Sequence, residues 1–160
     1  TSNGLVSQVL IVDCDVHQGN GSASILAQDE AITTFSMHGA SNYPMHKETS
    51  DIDIELSDGT EDAEYLEALE RHLNMLVSDA GPCPDIVLYQ CGVDVLATDK
   101  LGRLSLSMAG CMERDRLVFE RCAERGIPVV CAMGGGYSPN VNTVVQAHVN
   151  TFRAAIDAWT

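Results

Sequence analysis

The chain is 160 residues long, the length of one domain, and its 45% hydrophobic and 20% charged residues are enough to bury a core. Nine Lys and Arg stand against 23 Asp and Glu, a formal net charge of −14, and no basic run is present to track a phosphate backbone, which excludes direct nucleic-acid binding as the expected function. An acidic chain suits a basic substrate such as a lysine-bearing peptide or a polyamine, although solubility explains a negative surface equally well.

Taken in order, the pattern alternates strand and helix. Val9, Leu10, Ile11 and Val12 form an apolar run suited to a strand covered on both faces, and it leads into Asp13-Cys14-Asp15-Val16-His17-Gln18-Gly19-Asn20-Gly21, whose glycines open a turn. Residues 22–28 are a short helix candidate, 31–37 a β-rich run, and 51–56 an alternating edge strand with one wet face. Residues 38–50 read as a surface loop beside a binding site. Residues 61–77 place Leu66, Leu69, Leu73 and Leu76 on one helical face, with acids in the first turn and Gly81-Pro82 as the stop. Residues 85–90 give another strand, ending in the turn Cys91-Gly92-Val93-Asp94. Ser107 is the expected N-cap of a helix to Arg125, closed by Gly126 and Pro128. Residues 129–133 form the last strand, running into Gly134-Gly135-Gly136-Tyr137; Ser138-Pro139 then caps a helix whose apolar stripe is Val141, Val145, His148, Phe152, Ile156 and Trp159.

Strands alternating with helices predict an α/β fold, a parallel sheet whose ligands sit outside the carboxyl ends of the strands. The chemically suggestive residues fall at that rim: Asp15 and His17 after the first strand, Ser36 and His38 at the second, Asp94 after the fourth, Tyr137 after the fifth. Asp13, Asp15 and His17 alternate at period two, so a carboxylate and an imidazole can face one cation. Taken alone, Asp-x-His at a strand end also fits a hydrogen-bonded turn, and the three glycines also fit a glycine-rich turn with a core tyrosine. A phosphate cradle is rejected, because no Lys or Ser/Thr follows the glycines in P-loop spacing.

The Asp13 to Gly21 motif, then Gln90-Cys91-Gly92-Val93-Asp94-Val95-Leu96 with Asp99 and Leu101-Gly102, then Gly134-Gly135-Gly136-Tyr137, resemble the zinc-dependent histone deacetylase family in order and spacing. Phe35-Ser36-Met37-His38-Gly39 with Asn42-Tyr43-Pro44 is most similar to the class IV group and its bacterial amidohydrolase relatives. The likeness spans essentially all 160 residues but only the later half of the family's catalytic domain, so 1–160 is expected to be one partial domain. It implies the three-layer arginase/deacetylase architecture, with helices on both faces and about five strands of the family's larger sheet. It also implies Asp15, His17 and Asp94 as zinc ligands, Tyr137 as the catalytic residue on the substrate carbonyl, and Gly135 and Gly136 beside the substrate. A structural potassium would be held by Asp13, Asp15, Ser36 and the backbone of His17 and Met37.

The implied activity is removal of acetyl or longer acyl groups from lysine side chains or related amines. The family's general-base histidine pair would precede Thr1, and His38, His46, His72 and His148 do not match it. His72 is expected on a solvated face, His148 in helix packing and His46 in a surface loop. The chain opens on Thr1 behind a short polar lead-in, so it is expected to be part of something longer and poorly active alone. Two other readings stay open: a metal-containing module that binds an acylated ligand without turnover, and an arginase-like manganese hydrolase, which would need carboxylates for a second metal. Six cysteines without Cys-x-x-Cys spacing suggest reduced, buried thiols. No stretch suits a membrane span or a signal peptide, so no membrane partner is expected and the cytoplasm is the expected compartment. In the family's sheet the 129–133 strand would be a free apolar edge, so self-association is expected.

Overall fold

Five short β-rich runs become five parallel strands: β1 (Val9–Asp13), β2 (Ile32–Gly39), β3 (Ile52–Leu56), β4 (Ile86–Gln90) and β5 (Val129–Ala132), in the order β3-β2-β1-β4-β5. The computed structural model describes residues 4–78 and 83–160. Gly81-Pro82, the expected stop of the second helix, lies outside the described residues, as do the first three residues of the polar lead-in. The helices are α1 (Asn20–Leu26), α2 (Asp62–Leu76), α3 (Met108–Glu124) and α4 (Val141–Ala158).

The strand order has a consequence for function. The chain builds outward from β1 to β2 and β3, then returns to the other side of β1 to lay down β4 and β5. The direction reverses between β1 and β4, and at such a switch point the turns leaving the two strands diverge and leave a crevice. The Asp15–His17 turn and the Asp94 turn flank that crevice.

One face of the sheet carries the core. Leu10, Val12, Phe35, Met37, Val87 and Tyr89 pack there against Tyr65, Leu69 and Leu73 of α2 and Val118, Phe119 and Cys122 of α3. The other face has α1 beside β2, while Leu88 and Val130 on it are 38% and 55% exposed. Helices therefore lie on both faces, but unequally. Ser107 caps α3 as expected, its Oγ accepting from the Gly110 N–H at 2.9 Å, and Gly126 at φ 64° turns the chain out of that helix.

Three expectations are corrected. The cap of α4 is Asn140, whose Oδ1 accepts from the Asn142 N–H at 3.0 Å, rather than Ser138-Pro139. The large apolar stripe of α4 faces outward: Val141, Val145, Phe152 and Ile156 are all at least half exposed and Trp159 nearly so. Periodicity finds a stripe without saying which face meets the core, and here the small face of Ala147, Thr151 and Ala154 is the buried one. His72 is not on a solvated face; it is half-buried, its ring centroid 5.7 Å from that of Phe35. All six cysteines are free; Cys14, Cys91, Cys111 and Cys122 are buried, which pushes their thiols up to about 11 or 12, while Cys83 is exposed. Among the described residues no helix is long and apolar enough to cross a membrane.

β5 is a sheet edge as expected, and its outer residues carry no charge. Such an edge offers unpaired backbone groups beside exposed apolar side chains. Sedimentation at rising concentration is therefore expected to show association, and Val130→Lys, which places a charge on the bare face, to suppress it. A monodisperse wild-type monomer throughout the series would refute this.

Candidate metal centre

β1 stops at Asp13, and the turn that follows is built by its own side chains. The Asp13 Oδ1 accepts from the Asp15 N–H at 3.1 Å, and the Asp15 Oδ1 from the His17 N–H at 2.9 Å. Two successive carboxylates thus fold the backbone that carries the third side chain. From β4, Asp94 reaches across so that its Oδ1 accepts from the Val16 N–H at 3.0 Å.

The ligand-capable atoms of Asp15, His17 and Asp94 all lie within 4.8 Å of one another. The His17 Nδ1 sits 2.9 Å from the Asp15 Oδ1 and 3.2 Å from the Asp94 Oδ2, the latter oxygen being buried with no hydrogen-bond partner. Asp94 is 1% exposed, Asp15 14% and His17 26%, so the cluster opens on the His17 side. The contacts with Asp15 and then Asp94 raise His17 to about 10. Burial pushes Asp94 upward, while the His17 contacts hold Asp15 below the usual carboxylate range despite its own burial. Burial likewise lifts Asp13 to about 7. Two carboxylates and an imidazole converging on one point, with an orphaned carboxylate oxygen, form a donor set suited to zinc.

Glycines let the backbone close on this cluster. A Cβ on Gly92 would lie 2.3 Å from the Asp15 Oδ2, and one on Gly135, at φ 62°, would lie 2.4 Å from the Asp94 Cγ. The glycine-rich loop therefore rests directly on a candidate ligand. Its next residue but one, Tyr137, is 48% exposed, and its N–H donates to the Asp99 Oδ2 at 2.6 Å. The other Asp99 oxygen accepts from the N–H groups of Leu101 and Gly102 at 2.8 and 2.9 Å. One carboxylate thus ties the loop after β4 to the loop after β5.

Asp13 and Ser36 are register partners on neighbouring strands, and the Ser36 Oγ accepts from the Gly19 N–H at 3.2 Å. Met37 is buried, and His38 is buried with its Nδ1 2.9 Å from the Ser36 Oγ, which leaves it no route to the rim. His46 is exposed on its loop, and His148 is half-buried on α4. Sequence reasoning missed the Arg114–Asp115 pair beneath the site. The signal was present: Cys111, Arg114, Asp115, Val118 and Cys122 share the buried face of α3, so two charges interrupt an apolar stripe. It also missed Gln18 and Asn42, which pin the loop at 40–50 through Glu48, Asp53, Leu101 and Arg103.

The family described as "Histone deacetylase domain" matches residues 1–152. An uncharacterised protein of Picosynechococcus is 44% identical over 156 residues, covering 98% of this chain and 51% of its own. Histone deacetylase 2 of Arabidopsis thaliana is 34% identical over 143 residues, covering 88% of this chain and 36% of its own. Among solved structures, the HDA15 HD domain superposes with a TM-score of 0.75 at 24% identity, covering 97% of this chain and 47% of that one. The acetylpolyamine aminohydrolase of Burkholderia pseudomallei gives 0.72 at 20% identity, covering 96% and 45%. At those identities the structures show the fold, and the chain spans about half the length of the curated relatives it resembles or less.

Two measurements probe the cluster. With His17 raised from 6.5 to about 10, the metal-free fold binds a proton that the unfolded chain releases earlier, so this stabilisation is complete below pH 6.5 and lost as pH climbs through about 10. The melting temperature of metal-free protein should fall over that window, and His17→Ala should flatten the slope; identical slopes would refute the arrangement. Gly135→Ala, which drives a methyl into Asp94, should weaken zinc binding by about 10- to 100-fold at unchanged helical content, as disturbed ligand supports do.

Proposed function

The chain belongs to the histone deacetylase family, and from that premise we propose that it contributes the metal half of an amide hydrolase acting on acyl-lysine side chains or related acylated amines. The observation that carries the reading is the convergence of Asp15, His17 and Asp94 on one point, with the buried Asp94 Oδ2 making no hydrogen bond and facing the His17 Nδ1 at 3.2 Å. We read them as the zinc ligands, with His17 binding through Nδ1 in its neutral form. Zinc held there would act as a Lewis acid, polarising the acyl carbonyl and easing ionisation of a water.

The remaining work belongs to the chain's own groups. Three protein ligands would leave room for water or substrate at the metal, and the cluster is most exposed at His17. Tyr137, on the loop anchored by Asp99, donates its hydroxyl to the oxygen that gains charge as the carbonyl becomes tetrahedral, a contact stronger in the transition state than in the ground state. We read Gly135 and Gly136 as backbone beside the substrate; their missing Cβ atoms let that backbone pack against Asp94 and Val144, where a Cβ on Gly136 would fall 2.6 Å from a methyl. Asp13, Asp15, Ser36 and the carbonyls of His17 and Met37 are the residues for a potassium ion, whose charge would offset the cost of burying Asp13.

Proton transfer is the step these residues do not supply. Among the described histidines, His17 is committed to the carboxylates, His38 is buried, His72 lies against Phe35 with its Nδ1 at the Ala68 carbonyl, and His46 and His148 stand on other elements without a carboxylate bonded to the ring. We therefore read residues 1–160 as the later half of a catalytic domain, poorly active without a general base worth about 10² to 10⁴ in rate. The same observation favours the second reading, a module that binds an acylated ligand without turnover. Among the described residues there is one three-ligand cluster, which supports a single catalytic metal over an arginase-like manganese pair.

Zinc content per chain after dialysis against a weak chelator tests the assignment. Wild type should retain one zinc, and Asp94→Ala should retain none; zinc retained equally by both would remove Asp94 from the site, and none in either would mean the chain does not organise a metal centre.

A further inference from the structure

Arg114 is the largest fully buried side chain, and it lies directly beneath the two turns that form the metal cluster. Its Nε and Nη2 donate to the Asp115 Oδ1 at 2.9 and 2.8 Å. Its Nη1 donates to the carbonyls of Cys14 at 3.2 Å and Gly92 at 2.5 Å, and its Nη2 also reaches the carbonyl of Cys91 at 3.4 Å. One bond from Nε, two from Nη1 and two from Nη2 account for all five guanidinium N–H groups. Asp115 is equally saturated: the Tyr89 hydroxyl donates to its Oδ1 at 2.6 Å and the Thr151 hydroxyl to its Oδ2 at 2.6 Å.

The carbonyls are informative because of where they stand. Cys14 immediately precedes Asp15, and Gly92 is two residues before Asp94. Each of these peptide planes is held from both sides. The Cys14 carbonyl is bonded by Arg114 while the following N–H, of Asp15, is bonded by Asp13; the Gly92 carbonyl is bonded by Arg114 while the following N–H, of Val93, is bonded by the Gly134 carbonyl at 3.0 Å. Neither plane can rotate without breaking bonds on both faces.

We propose that Arg114, oriented by Asp115, is the positioning residue that fixes Asp15 and Asp94 relative to one another and so sets the chain's affinity for zinc. The inference rests on the reading of Asp15, His17 and Asp94 as zinc ligands. An apolar side chain would fill the same space without the cost of desolvating a cation, but it could not bridge carbonyls from two separate turns. Lysine could not either, since its single ammonium lacks the planar fork that spans them.

The test titrates zinc by competition with a chromogenic chelator and reads site geometry from cobalt(II) absorption. It compares wild type, Arg114→Lys, Thr151→Val and a control, Leu73→Ala, each at a temperature where circular dichroism shows it folded. Leu73 is buried on α2, toward the helix end that packs near the starts of the strands, so its truncation lowers stability away from the site. Arg114→Lys should lose about 10- to 100-fold in zinc affinity and alter the cobalt spectrum. Thr151→Val, which frees one Asp115 oxygen, should move both in the same direction by less, and Leu73→Ala should lower the melting temperature without moving either. Wild-type affinity and spectrum in both Arg114→Lys and Thr151→Val would overturn the proposal. Should Arg114→Lys not fold, unchanged binding by Thr151→Val overturns it alone. Wild type that binds no zinc overturns the metal reading and this inference together, whereas zinc bound normally by every variant removes only the inference.

Discussion

Asp13, Asp15 and Asp94 crowd three carboxylates into one crevice at the carboxyl ends of β1 and β4, and the surrounding structure is arranged to bear that charge. Like charges at such range cannot all ionise cheaply away from water. The chain responds in three ways. His17 places an imidazole between Asp15 and Asp94; the Val16, Asp15 and His17 N–H groups donate to carboxylate oxygens; and Asp13 is driven toward its neutral form by burial. One oxygen, Oδ2 of Asp94, is left with no hydrogen bond at all. A site this incompletely neutralised by its own protons has unmet demand for a cation.

Topology explains why the crevice is there. β1 is central, with β2 and β3 laid to one side of it and β4 and β5 later to the other, so turns from β1 and β4 diverge over the switch point. Divergence makes room, but it also removes the ladder bonds that would otherwise hold the two turns in register. What replaces them is side chain to backbone bonding: Asp94 to the Val16 N–H from above, and Arg114 to the Cys14 and Gly92 carbonyls from below. The glycines at 92 and 135 then let neighbouring backbone settle against the ligands. Loops are ordinarily the softest parts of a domain, and here two of them are cross-braced on both sides of the candidate ligands.

Much of this was legible in the sequence, and the part that was not has physical causes. The strands were readable because their apolar runs are short and bounded by glycine or polar turns, and the convergence of Asp15, His17 and Asp94 because each follows a strand end. A strand-end position in a parallel sheet predicts proximity without any knowledge of contacts. The α4 stripe misled because both sides of that helix carry periodic apolar residues: Val141, Val145, Phe152 and Ile156 on one, Ala147 and Ala154 on the other. Close approach to α3 selects the small face, and hydrophobicity alone ranks the faces the wrong way round. Arg114 was overlooked because a charged residue in a helix is ordinarily placed on the wet side; only its spacing from Cys111 and Val118 marks it as buried.

The uneven covering of the sheet bears on how the site is held. β1, β2 and β4 are clamped by α2 and α3, whereas β5 has a neighbour on one side only, exposed Val130 on one face, and α4 with its outward stripe following. Yet β5 delivers the glycine-rich loop, and that loop touches Asp94 through Gly135 and is tied back through Asp99 to Tyr137. The least supported strand therefore carries the glycine-rich loop and Tyr137, while the best supported strands carry the candidate metal ligands. A cation bound by Asp15, His17 and Asp94 would be held by the rigid part of the fold and, through Asp94, would meet the loop of the weaker part. Because binding to the folded state alone stabilises it in proportion to the logarithm of ligand concentration over dissociation constant, the metal would act on the fold as well as the chemistry. Asp94 is the residue through which both effects pass: it is 1% exposed, bonded to the β1 turn, and in contact with the β5 loop.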